Sequence, residues 1–261
     1  MPNFDKDSVF GTLLVAFGVC LVCAIVVSVA AVTLQPAQQA NIERDRQMNI
    51  LAAAGLYDPT RPVADQFAQI QTRVVDLRTG RYSDAIDPAT YNPLQAAKTP
   101  ELSASFADLG TPDKAKIGRR EHHALVYLVT ADNGTLDKLI LPIRGYGLWS
   151  TLQGFVALES DLNTIAGLGF FAHAETPGLG GEVDNPAWKA SWIGKQLFAA
   201  DQLAIQVIKG KVVPTNPAAN HQIDGLAGAT LTTRGVHNLI RFWLGDQGFA
   251  PYLQNLKTEG T

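Results

Sequence analysis

The chain opens on an uninterrupted apolar run. From Val9 to Leu34 there is no charged residue, and at about 1.5 Å per residue a helix of that length crosses the ~30 Å hydrocarbon core of a bilayer. A cleaved signal peptide would begin basic, carry a shorter apolar core and end on small residues. This chain instead begins Asp5-Lys6-Asp7, so a retained single-span anchor is expected over residues 1–35. Lys6 stands alone before the run, and Arg44 and Arg46 come well after it, so charge bias gives no orientation. From Pro36 through Leu56, Ile42, Met48, Leu51 and Ala52 alternate with Arg44, Asp45 and Arg46. That partly amphipathic pattern predicts a helix leaving the membrane and stopping at Gly55. Between residues 57 and 122, Pro59, Pro62, Pro88, Pro93, Pro100 and Pro112 break up long elements, and only Arg73–Leu77 reads as a strand.

The pattern becomes regular from His123. Leu125–Val129 is a strand, Asp132-Asn133-Gly134 a turn and Leu139–Ile143 the returning strand, in which Pro142 points to an edge or a bulge. Gly154–Leu158 and Thr164–Phe171 form a second pair around Asp161-Leu162-Asn163. Asn185-Pro186 opens a helix with asparagine as cap and proline in the first turn, and Trp188 and Trp192 fall one turn apart on it. Ala204–Ile208 is a further strand. Val236, Leu239, Ile240, Trp243 and Leu244 recur at helical spacing in a final helix from about Thr233 to Leu244. Strands followed by helices without regular alternation predict an α+β fold: a single N-terminal transmembrane helix, then a soluble domain of mixed strands and helices. The expected divisions are an anchor at 1–35, a connecting helix and N-terminal part of the soluble region at 36–122, and the main domain at 123–261.

Composition narrows the chemistry. The 261 residues carry a formal net charge of −3 and no long basic run, which argues against nucleic acid as a partner. Cys20 and Cys23 both lie inside the apolar run, leaving no cysteine for disulfides, zinc or thiol catalysis in the soluble part. Their C-x-x-C spacing lacks the strand-turn-helix context of a thioredoxin site and reads as small lipid-facing residues. His122 and His123 are adjacent, so on a strand they face opposite ways and do not share a metal. Neither a G-x-G-x-x-G nor a Walker loop is present.

One stretch stands out: Asp224-Gly225-Leu226-Ala227-Gly228-Ala229-Thr230-Leu231-Thr232-Thr233. Gly225 and Gly228 allow close backbone approach or positive φ. Thr232 or Thr233 could cap the helix that follows, whose first N–H groups and dipole favour an anion beside Thr230. On chemistry alone the stretch is either a phosphate seat or an ordinary glycine loop with a threonine cap.

Asp224 to Thr230 resembles the flavinylation signature of the FMN-binding domain family, in which a transferase moves FMN from FAD onto the last Thr or Ser through a phosphoester bond. The resemblance implies covalent FMN on Thr230, with Asp224, Gly228, Ala229 and Thr232 close to the phosphate. The usual pattern has Ser or Thr where Ala227 stands, which removes one hydroxyl and spares the acceptor and the aspartate. His173-Ala174-Glu175-Thr176-Pro177-Gly178-Leu179-Gly180 is similar to the isoalloxazine loop of the same family. Pro177 and Gly178 favour a tight turn, Leu179 offers an apolar contact, Thr176 and backbone N–H groups can reach the ring's polar edge, and Glu175 either tunes the site or is a solvated turn residue. His173 reads as an acid–base group or a packed strand-end histidine. Tyr146 and Trp149 border the flavin or cap a sheet edge. Lys209 neutralises flavin or phosphate charge or is a solvated loop lysine.

Gly145-Tyr146-Gly147-Leu148-Trp149-Ser150, with the span-then-helix entry, resembles the C subunits of the sodium-translocating NADH:quinone oxidoreductase. That resemblance implies an electron carrier in a membrane complex that couples NADH oxidation and ubiquinone reduction to sodium export. NADH and quinone would bind on other subunits of the complex, which are expected partners together with the flavin transferase and membrane lipid. It places the protein in a bacterial inner membrane with the flavin domain on the periplasmic side. Two alternatives stay open: the G subunit of an Rnf-type electron-transport complex, which usually lacks the glycine-leucine-tryptophan segment, and a membrane-anchored binding domain without redox activity.

Overall fold

The structure, a computed structural model, describes residues 8–131 and 133–259; the expected charged start Asp5-Lys6-Asp7 and Asp132 of the expected turn lie outside them. In chain order the first elements are α1 (Val9–Ala53), α2 (Val63–Phe67), β1 (Ile70–Asp76), β2 (Arg81–Tyr82) and α3 (Pro93–Lys98). Then come β3 (Ser103–Ser105), β4 (Arg119–Glu121), β5 (His123–Thr130), β6 (Leu136–Tyr146), β7 (Thr151–Glu159), β8 (Ile165–Ala172) and α4 (Pro186–Ala190). The short strands β9 (Phe198–Ala199), β10 (Gln202–Leu203), β11 (Gln206–Val207) and β12 (Gln222–Ile223) precede α5 (Thr230–Trp243) and α6 (Ala250–Glu259).

Two compact units divide the chain at residue 45. The first holds α1 up to Asp45 and the second its remaining residues; α1 is long and apolar enough to cross a membrane. It starts where Ser8 Oγ accepts from the Gly11 N–H at 3.0 Å, and Cys20 and Cys23 are exposed on it. The division expected at Pro36 does not interrupt the helix. A mid-helix proline removes one hydrogen bond at a cost of about 3 kcal/mol, and the helix runs through it for 45 residues in all. The stop comes at Gly55, as the sequence predicts: φ is +69°, Leu56 N–H donates to Leu51 O and Gly55 N–H to Ala52 O, the paired bonds of a Schellman cap.

The second unit is built on a six-stranded sheet in the order β2-β1-β5-β6-β7-β8, with every neighbour antiparallel. Both faces are covered, and the two-residue period of the strands sorts side chains between them. Val126, Leu128, Leu139, Leu141, Ile143 and Val156 pack with Val236, Leu239, Ile240 and Trp243 of α5. The alternate positions Leu125, Tyr127, Ile140 and Phe155 pack with Ile50, Leu51 and Val63. Each fully buried aliphatic side chain stabilises the fold by about 1.5–3 kcal/mol.

β1 pairs with β5 along its whole length, so the sheet crosses the boundary expected at residue 122. Pro142 sits on β6, an inner strand rather than an edge. The ladder to β5 has its last pair at Tyr127 and Ile140, so the missing N–H falls beyond it. α4 ends at Ala190; Trp192 lies past it, edge-on to Trp188 with ring centroids 5.5 Å apart. The expected strand 204–208 shrinks to β11, which pairs parallel to β12. α6 follows the helix the sequence reads as the last.

Candidate functional site

The site is organised around a carboxylate. Glu175 lies in the loop after β8 and is only 5% exposed. Its Oε1 accepts from the backbone N–H groups of Leu148, Trp149 and Ser150 at 3.1, 3.0 and 3.1 Å, in the loop that joins β6 to β7. Its Oε2 accepts from Thr232 Oγ1, on the first turn of α5, at 2.7 Å. Burial pushes the Glu175 pKa up, but the bonds from Thr232 and the three amides outweigh it and hold the group below the usual carboxylate range. The sequence leaves Glu175 between a tuning group and a solvated turn residue; the second reading is overturned, because its oxygens are spent inside the fold.

Glycines make room for this knot. A Cβ on Gly147 would stand 2.6 Å from Glu175 Oε1, and one on Gly180 would stand 2.6 Å from both Glu175 Oε2 and Thr232 Oγ1. Gly235, one turn further along α5, meets the backbone of Tyr146 and Gly147, and a Cβ there would clash with Tyr146 O. The segments 145–150, 173–180 and 224–233 are therefore drawn together.

α5 begins at Thr230, three residues earlier than the periodicity predicts, with Ala229 as N-cap and no side-chain cap bond. Thr232 and Thr233 therefore do not cap it. Both are buried within the first turn, Thr232 bonded to Glu175 and Thr233 Oγ1 accepting from the Leu226 N–H at 2.9 Å. Among the described residues no side chain caps the start of α5, where Thr230 is exposed, a setting that favours an anion. Gly228 has φ +72°, and a Cβ there would lie 3.1 Å from Leu179 Cδ2, so Leu179 reaches the loop before Thr230. Gly225 packs so closely that a Cβ would clash with Ile208 O.

The other candidates take varied places. Thr176 is exposed, and its carbonyl accepts from Leu179 and Gly181 N–H at 3.1 and 2.9 Å; Gly178 completes the turn at φ +75°. Leu179, Leu231 and Trp149 are 45%, 51% and 66% exposed, an apolar trio on the three segments. Tyr146 OH donates to Trp149 O at 3.1 Å. Asp224 is turned to structure: Oδ1 accepts from Val212 N–H at 2.7 Å and its carbonyl from Trp188 Nε1 at 2.9 Å. Lys209 is exposed just before Gly210, whose carbonyl accepts from Gly225 N–H at 2.8 Å. His173 is bound to Asp184, Nε2 to Oδ2, at 2.7 Å. Among the described residues no group of His, Cys, Asp and Glu is arranged to hold a metal ion.

Sequence reading missed the support behind Tyr146. Arg144 donates to the buried Glu121, its guanidinium lies 5.1 Å from the Trp243 ring, and Trp243 Nε1 donates to Arg144 O at 2.6 Å. Tyr146 N–H donates to Ala115 O at 2.8 Å, which brings in the proline-rich segment. That segment has no periodicity to reveal it.

The arrangement fits FMN: an uncapped helix start for the phosphate, a glycine loop beside an exposed hydroxyl, and exposed apolar side chains for a ring. Residues 147–245 match the FMN-binding domain family. Over 258 residues the chain is 55% identical to the C subunit of the Na(+)-translocating NADH-quinone reductase of Pseudomonas aeruginosa, covering 97% of this chain and 98% of that one. It is 44% identical over 259 residues to the C subunit of the same reductase from Yersinia pestis, covering 97% and 95%. The crystal structure of Shewanella oneidensis NqrC superposes with a TM-score of 0.74 at 36% identity, covering 82% of this chain and 98% of that one. By its sequence along almost its whole length and by its fold, the chain belongs to the family of C subunits of the Na(+)-translocating NADH-quinone reductases.

Proposed function

We propose that this chain is an electron-carrier subunit with FMN linked covalently to Thr230, in an inner-membrane complex that couples NADH oxidation and ubiquinone reduction to sodium export. The observation that supports it most is the position of Thr230: an exposed hydroxyl at the first residue of an uncapped helix, in a loop matching the FMN-binding domain family. With FAD as donor, the Oγ–P bond to Thr230 would form as the pyrophosphate bond of FAD breaks, with AMP as the leaving group and the hydroxyl proton passing to solvent. A flavin transferase catalyses that step. The helix start stabilises the phosphoester charge by about 0.3–1 kcal/mol.

FMN, when bound, supplies the electron chemistry, and the protein supplies placement and surroundings. Glu175 holds the 148–150 loop and α5 in register, so Trp149, Leu179 and Leu231 flank one seat for the ring. Gly178 and Gly180 shape the turn that presents Leu179. Lys209 contributes positive charge at the mouth of the loop. The anchor α1 keeps the domain at the membrane with its lipid and its partner subunits, and the flavin domain faces the periplasm. Resolved on a denaturing gel under ultraviolet light, protein from a host with the transferase should fluoresce, Thr230→Ala should be dark, and Thr230→Ser should recover the signal. A fluorescent Thr230→Ala band would remove Thr230 from its role.

A further inference from the structure

The loop 112–118 makes a fourth wall beside the three segments that resemble the family's motifs. It is built rather than draped. Asp113 accepts from the N–H groups of Ile117 and Gly118 at 3.1 and 2.7 Å, Ala115 is fully buried, and Ala115 O accepts from Tyr146 N–H at 2.8 Å. Within this loop Lys116 holds φ +52°, a left-handed conformation that a residue with a Cβ adopts at a cost. Strain of that kind, kept in place by surrounding bonds, is characteristic of functional sites. Its result is to lay the Lys116 ammonium 5.5 Å from the centroid of the Tyr146 ring.

The exposed Lys116 has no carboxylate within salt-bridge distance among the described residues. The same holds for the exposed Arg234, four residues after Thr230. Arg234 lies one turn after Thr230 on α5, and helical side chains lean toward the N-terminus, which favours a position of its charge toward the helix start. Gly235 is packed against Tyr146 and Gly147, so the Lys116–Tyr146 pair and the first turns of α5 border one place. Neither cation is salt-bridged among the described residues, and two such positive charges favour an anionic occupant.

We propose that Lys116 is a cofactor-binding residue of this site, its ammonium facing the flavin past Tyr146 and favouring the more negative, reduced form of the ring. The inference rests on the flavin reading above. Lys116 exchanges neither proton nor electron; it acts through its charge, since an opposite charge nearby stabilises the charged form of a group.

The test is a spectroscopic redox titration of the full-length flavinylated protein, comparing wild type with Lys116→Gln, Lys116→Arg and Lys116→Gly. At a fixed potential the ratio of reduced to oxidised flavin should fall about fivefold in Lys116→Gln and Lys116→Gly, and stay near wild type in Lys116→Arg. Lys116→Gly relieves the backbone, so it should melt no lower than wild type while still losing the redox effect, which separates charge from structure. Unchanged ratios in the Gln and Gly variants, or a fall in Arg equal to that in Gln, would overturn the role of Lys116 and leave the flavin reading intact. Wild-type protein without covalent flavin would overturn both.

Discussion

Thr232 donates its hydroxyl to Glu175 Oε2 at 2.7 Å, and through that bond the first turn of α5 is fastened to the loop after β8. The same carboxylate receives three amides of the loop after β6. Removing the buried carboxylate strands those donors, each worth about 1–3 kcal/mol when left unpaired. Glu175→Ala should therefore lower the free energy of urea unfolding by about 3 kcal/mol or more. Thr232→Val should lose about 1–2 kcal/mol, and the double variant less than the sum, because the two share one bond.

Space around the carboxylate gives a second expectation. Gly180→Ala and Gly147→Ala each drive a methyl to 2.6 Å from a Glu175 oxygen, and overpacking of this kind costs about 1–3 kcal/mol. Gly169→Ala is the control: it lies on β8 with nothing within 4 Å of a built Cβ, and should stay within about 0.5 kcal/mol of wild type. Thermal melts of the three variants read this directly.

Acid should weaken the site in a defined direction. The folded Glu175 pKa is depressed, so its contribution is present above the unfolded pKa of about 4.3 and is lost as pH falls through the lower folded value. Asp58, Asp76, Asp108 and Asp161 are depressed as well, so total stability does not isolate Glu175. The gap in stability between wild type and Glu175→Gln does, and it should narrow as pH drops below about 4. A gap that stays constant from neutral pH into that range would mean that ionisation of Glu175 adds nothing.

Ala227 stands exposed beside Gly228, at the position where the resemblance to the flavinylation signature leads to an expected Ser or Thr. Ala227→Ser should speed the initial rate of flavin loading by the transferase in a fluorescence time course, with the same final stoichiometry. A slower rate would show that the alanine suits the transferase better than the family residue.

Much of the fold was legible where the pattern has a period. The strand pairs from residue 123 onward and the buried face of α5, from Val236 to Trp243, follow from alternation and helical spacing, and Gly55 ends α1 as a left-handed cap should. Pro142 misled because a proline is barred only where the ladder needs its N–H, and on β6 the ladder to β5 has already ended. Local threonine chemistry misled in the same way. Thr232 and Thr233 look like caps, but Glu175, from a loop distant in sequence, and the Leu226 N–H, seven residues upstream, claim their hydroxyls. Lys116 was invisible: its place depends on Ala115 O meeting Tyr146 N–H, a contact between segments that no local pattern encodes. The family was legible in motif order, and the relatives bear it out along nearly the whole chain.

The central claim comes down to one oxygen, the hydroxyl of Thr230. Its most direct test is the intact mass of the protein from a host with its flavin transferase, followed by mapping of the modified peptide. The expected result is an increase equal to FMN less one water, carried entirely by the peptide containing Thr230. An unmodified mass, or the same increase on a peptide without Thr230, would contradict it.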